Sequence, residues 1–177
     1  MALKNADDFL FLMQRYEKKL FYYVKRLANI SDADAEDILQ EVFIKAYENL
    51  NDFDKNLKFS SWIYRIAHNH TISHYRKNKK NFESLSEEDS EIIFKKISSE
   101  LDIKKDLEQK FKSSKVRELL SQLDKKYRDV LILKFLEDKD YKEISNILKK
   151  PMGSIAALMN RAKNKFKKIL IKNYITA

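Results

Sequence analysis

The sequence predicts an all-α protein of two small helical domains joined by a linker, the C-terminal domain being a helix-turn-helix. Three observations carry that reading. A single glycine and a single proline serve all 177 residues, and both fall in Lys149-Lys150-Pro151-Met152-Gly153. A chain so poor in breakers runs as helix nearly throughout, and the place where the two strongest breakers meet marks a turn. Apolar residues recur at helical spacing through most of the chain. Between residues 81 and 105 the composition shifts to 7 Asp/Glu against 4 Lys/Arg, mixed with serines. There Ile92, Ile93, Phe94 and Ile97 show no persistent period. The stretch reads as an acidic linker, with room for a short helix at 92–97, between domains at 1–80 and 106–177.

The first helix is expected from Ala6 to Leu27, with Phe9, Leu12, Met13, Tyr16, Leu20, Tyr23, Val24 and Leu27 on one face. Asn29-Ile30-Ser31 breaks it, and Ser31 followed by Asp34 resembles an acidic capping box. In the second helix Ala35, Ile38, Leu39, Val42, Phe43, Ala46, Tyr47 and Leu50 repeat at a 3,1,3,1 step. Asp34, Asp37, Glu41, Lys45 and Glu48 take the opposite face, with Gln40 and Ile44 at its margins. After the loop Asn51–Lys58, Ser60 or Ser61 is placed to cap a helix from Trp62 to about Lys77. Periodicity returns at Leu101 or Leu107 and continues through Phe111, Val116, Leu119, Leu120 and Leu123. A helix from Lys126 to Leu136 follows.

The last two helices flank the turn. Asp140 with Glu143 makes another acidic capping box, opening a helix that ends at Leu148. Gly153 is expected to supply a conformation that a β-branched residue resists, and Ser154 to start the final helix, to about Leu170. On that helix Ile155, Met159, Ala162 and Phe166 face inward. Ser154, Ala156, Ala157 and Asn160 remain near its N-terminal end, where a reader helix meets base edges. Arg161, Lys163, Lys165, Lys167 and Lys168 lie behind them, where cations meet phosphates.

Charge agrees with that placement. The formal net charge is +9. Residues 106–177 hold 18 Lys/Arg against 9 Asp/Glu, whereas residues 1–80 hold 14 against 11. No acidic residue follows Lys149. An excess so placed suits a module that neutralises phosphates. In the first domain the acid-rich face of the second helix offers a surface for a protein partner. The helix after it interleaves aromatic residues with Arg65, Asn69, Tyr75 and Arg76, the composition of a single-strand platform. Trp62, Ile63 and Ile66 read as core, and Arg65, Asn69 and Arg76 share one outward stripe.

Several classes are set aside. No cysteine is present, which excludes disulfides and thiolate metal sites. The N-terminus lacks the features of a signal peptide, and apolar runs of about five residues fall far short of the roughly 20 needed to span a bilayer. A cytoplasmic protein without membrane insertion is expected. His70 and His74 share a helix face near His68, but no Cys and no His-Glu-x-x-His motif accompany them, so no metal and no cofactor are expected. No phosphate loop or nucleophile–base pair stands out, and no enzymatic activity is expected. Two function classes fit these residues on their own: a stand-alone helix-turn-helix regulator, and an adaptor with helical docking faces.

Two blocks also resemble a known family. Asp34–Lys80 is similar to region two of bacterial RNA polymerase sigma factors of the extracytoplasmic-function class. Leu119–Leu170 is similar to their region four, through Leu123, Arg128, Leu133, Tyr141, Glu143-Ile144, Gly153-Ser154-Ile155 and Arg161-Ala162. The resemblance implies that Asp37, Gln40, Glu41 and Lys45 dock on the clamp helices of the polymerase largest subunit. It implies that the loop bearing Asn51, Asp52, Phe53 and Lys58, with Arg65, Asn69 and Arg76, captures the melted minus-ten strand. One base would be flipped out into a pocket. Region four would sit on the second-largest subunit and read the minus-thirty-five element through Ser154, Ala156, Ala157, Asn160, Arg161 and Lys163. The linker would thread toward the active centre, and an anti-sigma protein would be a further partner. The chain departs from the family pattern at Ala156, Ala157 and Leu158, where cations or hydroxyls are usual, and at Asp124, where proline is common.

Overall fold

Serine side chains decide where two of the helices begin. The structure is a computed structural model, and it describes residues 6–28, 30–77, 85–101 and 112–175. Helix α1 spans Ala6–Ala28 and α2 spans Asp32–Glu48, the latter opened by the Ser31 hydroxyl accepting from the Asp34 N–H at 3.1 Å. A short 3-10 turn, Leu50–Asp52, leads to α3, Phe59–Lys77. These three helices pack on one another as one compact unit. Its core joins Leu20, Tyr23 and Val24 to Ile38, Val42 and Ala46, and to Ile63, Tyr64 and Ala67. The Tyr23 and Tyr64 rings lie 4.9 Å apart, and the Tyr23 hydroxyl meets His68 Nδ1 at 2.9 Å.

Helix α3 starts three residues before the expected Trp62, and neither Ser60 nor Ser61 is its cap. The Lys58 carbonyl accepts from the N–H groups of Ser61 and Trp62, at 3.0 and 3.3 Å, so both serines lie in the first turn. Ser61 is buried and its hydroxyl has no hydrogen-bond partner. Packing sets this helix end: the Phe59 ring lies 5.6 Å from Phe53 and 5.4 Å from Trp62.

The bulk of a second unit is built from α4 (Glu87–Glu100), α5 (Ser113–Ser121), α6 (Lys125–Leu131), the first part of α7 (Tyr141–Leu148) as far as Ser145, and α8 (Met152–Ile175). A π-helical turn, Ile132–Leu136, continues α6. Helix α4 occupies the stretch expected to be a linker, and it is longer than the short helix expected at 92–97. It packs on α5 and on the π turn through Ser90, Ile93, Phe94, Ile97 and Ser98. That seam does have a helical period. Serine at two of its positions conceals it from a reading of apolar residues. The Ser113 hydroxyl donates to Glu91 at 3.1 Å and Lys95 pairs with the same carboxylate at 2.7 Å, which together hold its pKa below the ordinary value. Leu101 is the C-cap of α4. The expected helix start at Leu107 lies outside the described residues.

The capping box at Asp140 is complete: its carboxylate accepts from the Glu143 N–H at 2.7 Å, and its own N–H donates to Glu143 Oε2 at 3.1 Å. The turn that follows differs from expectation. Its left-handed residue is Lys149, with φ 50 and ψ 50, not Gly153. Gly153 lies inside α8 without a positive φ, and a Cβ built there meets nothing within 4 Å. The helix begins at Met152, two residues before Ser154, with the Pro151 carbonyl accepting from the Ile155 N–H at 3.1 Å. A side chain at Lys149 opposes the left-handed conformation sterically, whereas glycine adopts it freely. Lys149→Gly is therefore expected to raise stability by about 1 kcal/mol, read as a higher urea midpoint at an unchanged slope.

Among the described residues, no helix is long and apolar enough to cross a membrane.

Candidate nucleic-acid interfaces

The first unit carries a cleft of about 380 Å³ between α2, the 3-10 turn and α3. Successive turns of α3 place Trp62, Arg65, Ile66, Asn69, His70 and Ser73 along it, and Lys45, Asn49 and Asp52 face them. Of the residues expected to hold a single strand, the fold brings together Arg65, Asn69 and Asp52. Asn51 and Lys58 are exposed on the connection, and Arg76 is exposed beyond the cleft near the end of α3. Phe53 is half-buried, its ring 5.3 Å from Trp62, so it supports the wall and is not a free stacking platform. Asn49, His70 and Ser73 were not anticipated as lining residues. Their helical spacing from Lys45, Ile66 and Asn69 was the available signal.

Asp37, Gln40, Glu41 and Lys45 are all exposed on α2, as the helical spacing requires. The fold nevertheless separates them. Gln40 lines a larger groove of about 1080 Å³ between α1 and α2, whereas Lys45 lines the cleft. The groove is predominantly apolar, with Phe9, Met13, Phe21, Leu39, Phe43, Ile44 and Tyr47 in its walls. Tyr47, expected on the core face, is 58% exposed, and its ring meets Phe9 edge-on at 5.2 Å. Ile44 is 57% exposed. Ile44 and Tyr47 are thus large apolar side chains left in solvent along one groove. The signal available in the sequence was the run Phe9-Leu10-Phe11-Leu12-Met13, too apolar for one buried stripe.

The three histidines of α3 take different surroundings. His68 is buried against Tyr23. His70 Nδ1 lies 2.7 Å from the Lys45 ammonium, and its Nε2 lies 2.7 Å from Glu41 Oε2, off the N–H axis. Burial and the Lys45 charge hold the His70 pKa below its ordinary 6.5, outweighing the opposite pull of Glu41.

In the second unit α8 buries Ile155, Met159, Ala162 and Phe166, as its periodicity predicts. Ser154, Asn160 and Arg161 are exposed, and Ala156, Ala157 and Leu158 are half-exposed. The first turns of α8 thus present a small, largely uncharged surface with one guanidinium behind it. Lys163 differs from its expected role as an open contact. Its ammonium pairs with Glu100 of α4 at 2.8 Å, and its side chain is 14% exposed. Asp124, where proline is usual, pairs with Lys165 at 3.2 Å, and the Lys165 ammonium lies 5.0 Å from the Tyr127 ring centre.

Comparisons with known proteins match both units. The family model for Sigma-70 region 2 matches residues 12–81, and that for Sigma-70, region 4 matches residues 113–166. The ECF RNA polymerase sigma factor SigW of Bacillus subtilis is 32% identical over 171 residues, covering 94% of this chain and 90% of that protein. The ECF RNA polymerase sigma-E factor of Escherichia coli K12 is 30% identical over 186 residues, covering 90% and 84%. Among solved structures, CnrH in complex with the cytosolic domain of CnrY aligns with a TM-score of 0.66 at 21% identity, covering 96% of this chain and 91% of that one. The sigma factor RpoE of Bartonella quintana, in complex with the anti-sigma factor NepR, aligns at 0.63 and 18% identity, covering 93% and 98%.

Proposed function

This chain belongs to the sigma-70 family of bacterial RNA polymerase sigma factors, in the extracytoplasmic-function class, and we propose how its two units divide the work of directing polymerase to promoters. The observation that supports the reading is the presence in one chain, in the family order, of a cleft lined by Lys45, Arg65 and Asn69 and of a helix-turn-helix. The first unit docks on the polymerase clamp through the α1–α2 groove, with Gln40 in it and Asp37 and Glu41 on the same helix. An apolar groove with a few polar groups suits an amphipathic helix laid into it. An anti-sigma protein would compete for that groove, which makes inhibition and polymerase binding mutually exclusive.

The cleft then receives the melted minus-ten strand. Arg65 and Asn69 supply donors to phosphates and base edges, and the aromatic wall of Trp62 and Phe53 bounds the base that enters. In the second unit α8 enters the major groove at the minus-thirty-five element with Ser154, Ala156, Ala157 and Asn160 at the bases and Arg161 at a phosphate. The chain binds and opens DNA, and the polymerase makes the covalent bonds. Its site of action is the cytoplasm, where the polymerase works.

The decisive experiment sequences the transcripts made on genomic DNA by core polymerase with and without the chain. Discrete new start sites sharing two upstream elements are expected. Failure of the chain to associate with core enzyme overturns the assignment of the groove. A stand-alone regulator would instead protect a two-fold operator without polymerase.

The upstream element itself is expected to lean toward A and T. Alanine at 156 and 157 removes the side chains that would form bidentate contacts with guanine, each worth about 1–3 kcal/mol, and leaves methyl groups suited to thymine. Binding selection from randomised upstream duplexes tests this, and a strong guanine preference opposite these residues contradicts it.

A further inference from the structure

Lys45 and His70 stand 25 residues apart in sequence and meet at 2.7 Å on the wall of the cleft. The chemistry of that contact fixes a tautomer. A lysine ammonium has donors and no acceptor, so Nδ1 of His70 accepts and carries no proton. In the neutral ring the proton is then on Nε2, the nitrogen beside Glu41. The His70 side chain is only 10% exposed, while that of Glu41 is 61% exposed. Lys45 is thus drawn toward α3.

We propose that Lys45 contacts the captured single strand and not the polymerase clamp, and that His70 is the positioning residue that holds it in the cleft and makes strand capture depend on pH. This rests on the sigma-factor reading of the cleft. The neutral imidazole anchors the ammonium through one of its N–H groups, leaving the other two for a phosphate. Protonation of His70 removes the acceptor, frees the third N–H of Lys45 for the strand, and adds a second cation to the same wall. A polyanion binds the protonated form better, so by linkage its affinity rises as pH falls.

The direction of the His70 pKa agrees with this sign. Burial and Lys45 depress it, so the free protein keeps the ring neutral above 6.5 and protonates it only as pH falls below that value. The titratable and charged groups around the ring are Glu41 and Lys45 on α2, His74 on the next turn of α3, and Asp52 and Arg65 elsewhere in the cleft. Helix α1 meets α3 at His68, on another face.

The test uses the complex with core polymerase and a labelled single strand carrying the minus-ten sequence of a promoter mapped by the transcript experiment. Between about pH 8 and about pH 5.5, the native complex is expected to gain roughly three- to tenfold in affinity. Its salt slope is expected to steepen by about 0.7, the increment for one further phosphate contact on a single strand. His70→Asn keeps an acceptor near the Nδ1 position and cannot titrate, so the gain in affinity at low pH and the steeper salt slope should both vanish. His74 stays in place in that variant, so a pH response surviving in it assigns the effect elsewhere and overturns the role of His70. Lys45→Gln should weaken strand binding severalfold and lower the salt slope by about 0.7. If instead it weakens association with core polymerase and leaves strand binding unchanged, Lys45 belongs to the clamp face and the proposal falls. Failure of the native chain to bind core or to yield a mapped promoter is a separate result, and it removes the sigma-factor reading itself.

Discussion

Phe166→Ala is expected to destabilise the second unit strongly and leave the stability of the first unchanged. Phe166 is fully buried on α8, its ring meeting Phe94 of α4 edge-on at 6.1 Å. It therefore ties the helix-turn-helix to the helix that packs beside it. Truncating a buried phenylalanine costs about 3–5 kcal/mol, against a stability of roughly 5–15 kcal/mol for a whole domain. The sequence supplies a convenient reporter. Trp62 is the single tryptophan, and it is buried in the first unit. In urea, far-ultraviolet circular dichroism should lose the helical signal of the second unit at a lower midpoint than in the native chain, while the transition in Trp62 emission stays in place. A single transition in which both signals move together would show that the two units do not fold separately.

Arg65→Ala with Asn69→Ala is expected to lower promoter-specific transcription by about a hundredfold. The two side chains lie one turn apart on α3 and line the same cleft. Contacts of this kind to bases contribute about 1–3 kcal/mol each, so losing two removes roughly 10²-fold or more in the stability of the open complex. The measurement is run-off transcription from a mapped promoter, with the lifetime of the heparin-resistant complex followed in parallel. Binding of duplex upstream DNA should be unchanged, because that contact belongs to α8. Equal loss at both elements would mean that the double variant damages folding, and Trp62 emission would reveal it, since the tryptophan lines the same cleft.

Much of the architecture was legible from the chain because its causes lie within one helical turn. The capping bonds at Ser31 and Asp140 join residues three apart. The seam Ile155, Met159, Ala162 and Phe166 follows a period that four neighbours suffice to define. Arg65 and Asn69 share a face for the same reason. The departures from helical periodicity and cap preference also have local causes. Serines at two seam positions hid α4. The breaker at Gly153 drew attention from Lys149, which holds the left-handed turn despite its side chain. The hydrophobic surroundings of Phe59 moved the start of α3, which no cap preference anticipates.

The candidate sites divide along the same line. Helical spacing alone places Asp37, Gln40, Glu41 and Lys45 outward on α2, but whether they share one surface depends on what α1 and α3 set beside them. The fold assigns Gln40 to the apolar groove and Lys45 to the cleft. Lys163 illustrates the same limit, since its partner Glu100 is 63 residues away. By itself, then, the order of amino acids determined a helical chain with a helix-turn-helix and, outside α4, most of which side of each helix is wet. Only the tertiary structure decided which wet residues become neighbours. The reason is physical: helix periodicity arises from bonds spanning four residues, whereas the pairing of side chains on different helices is set by how their buried faces interlock.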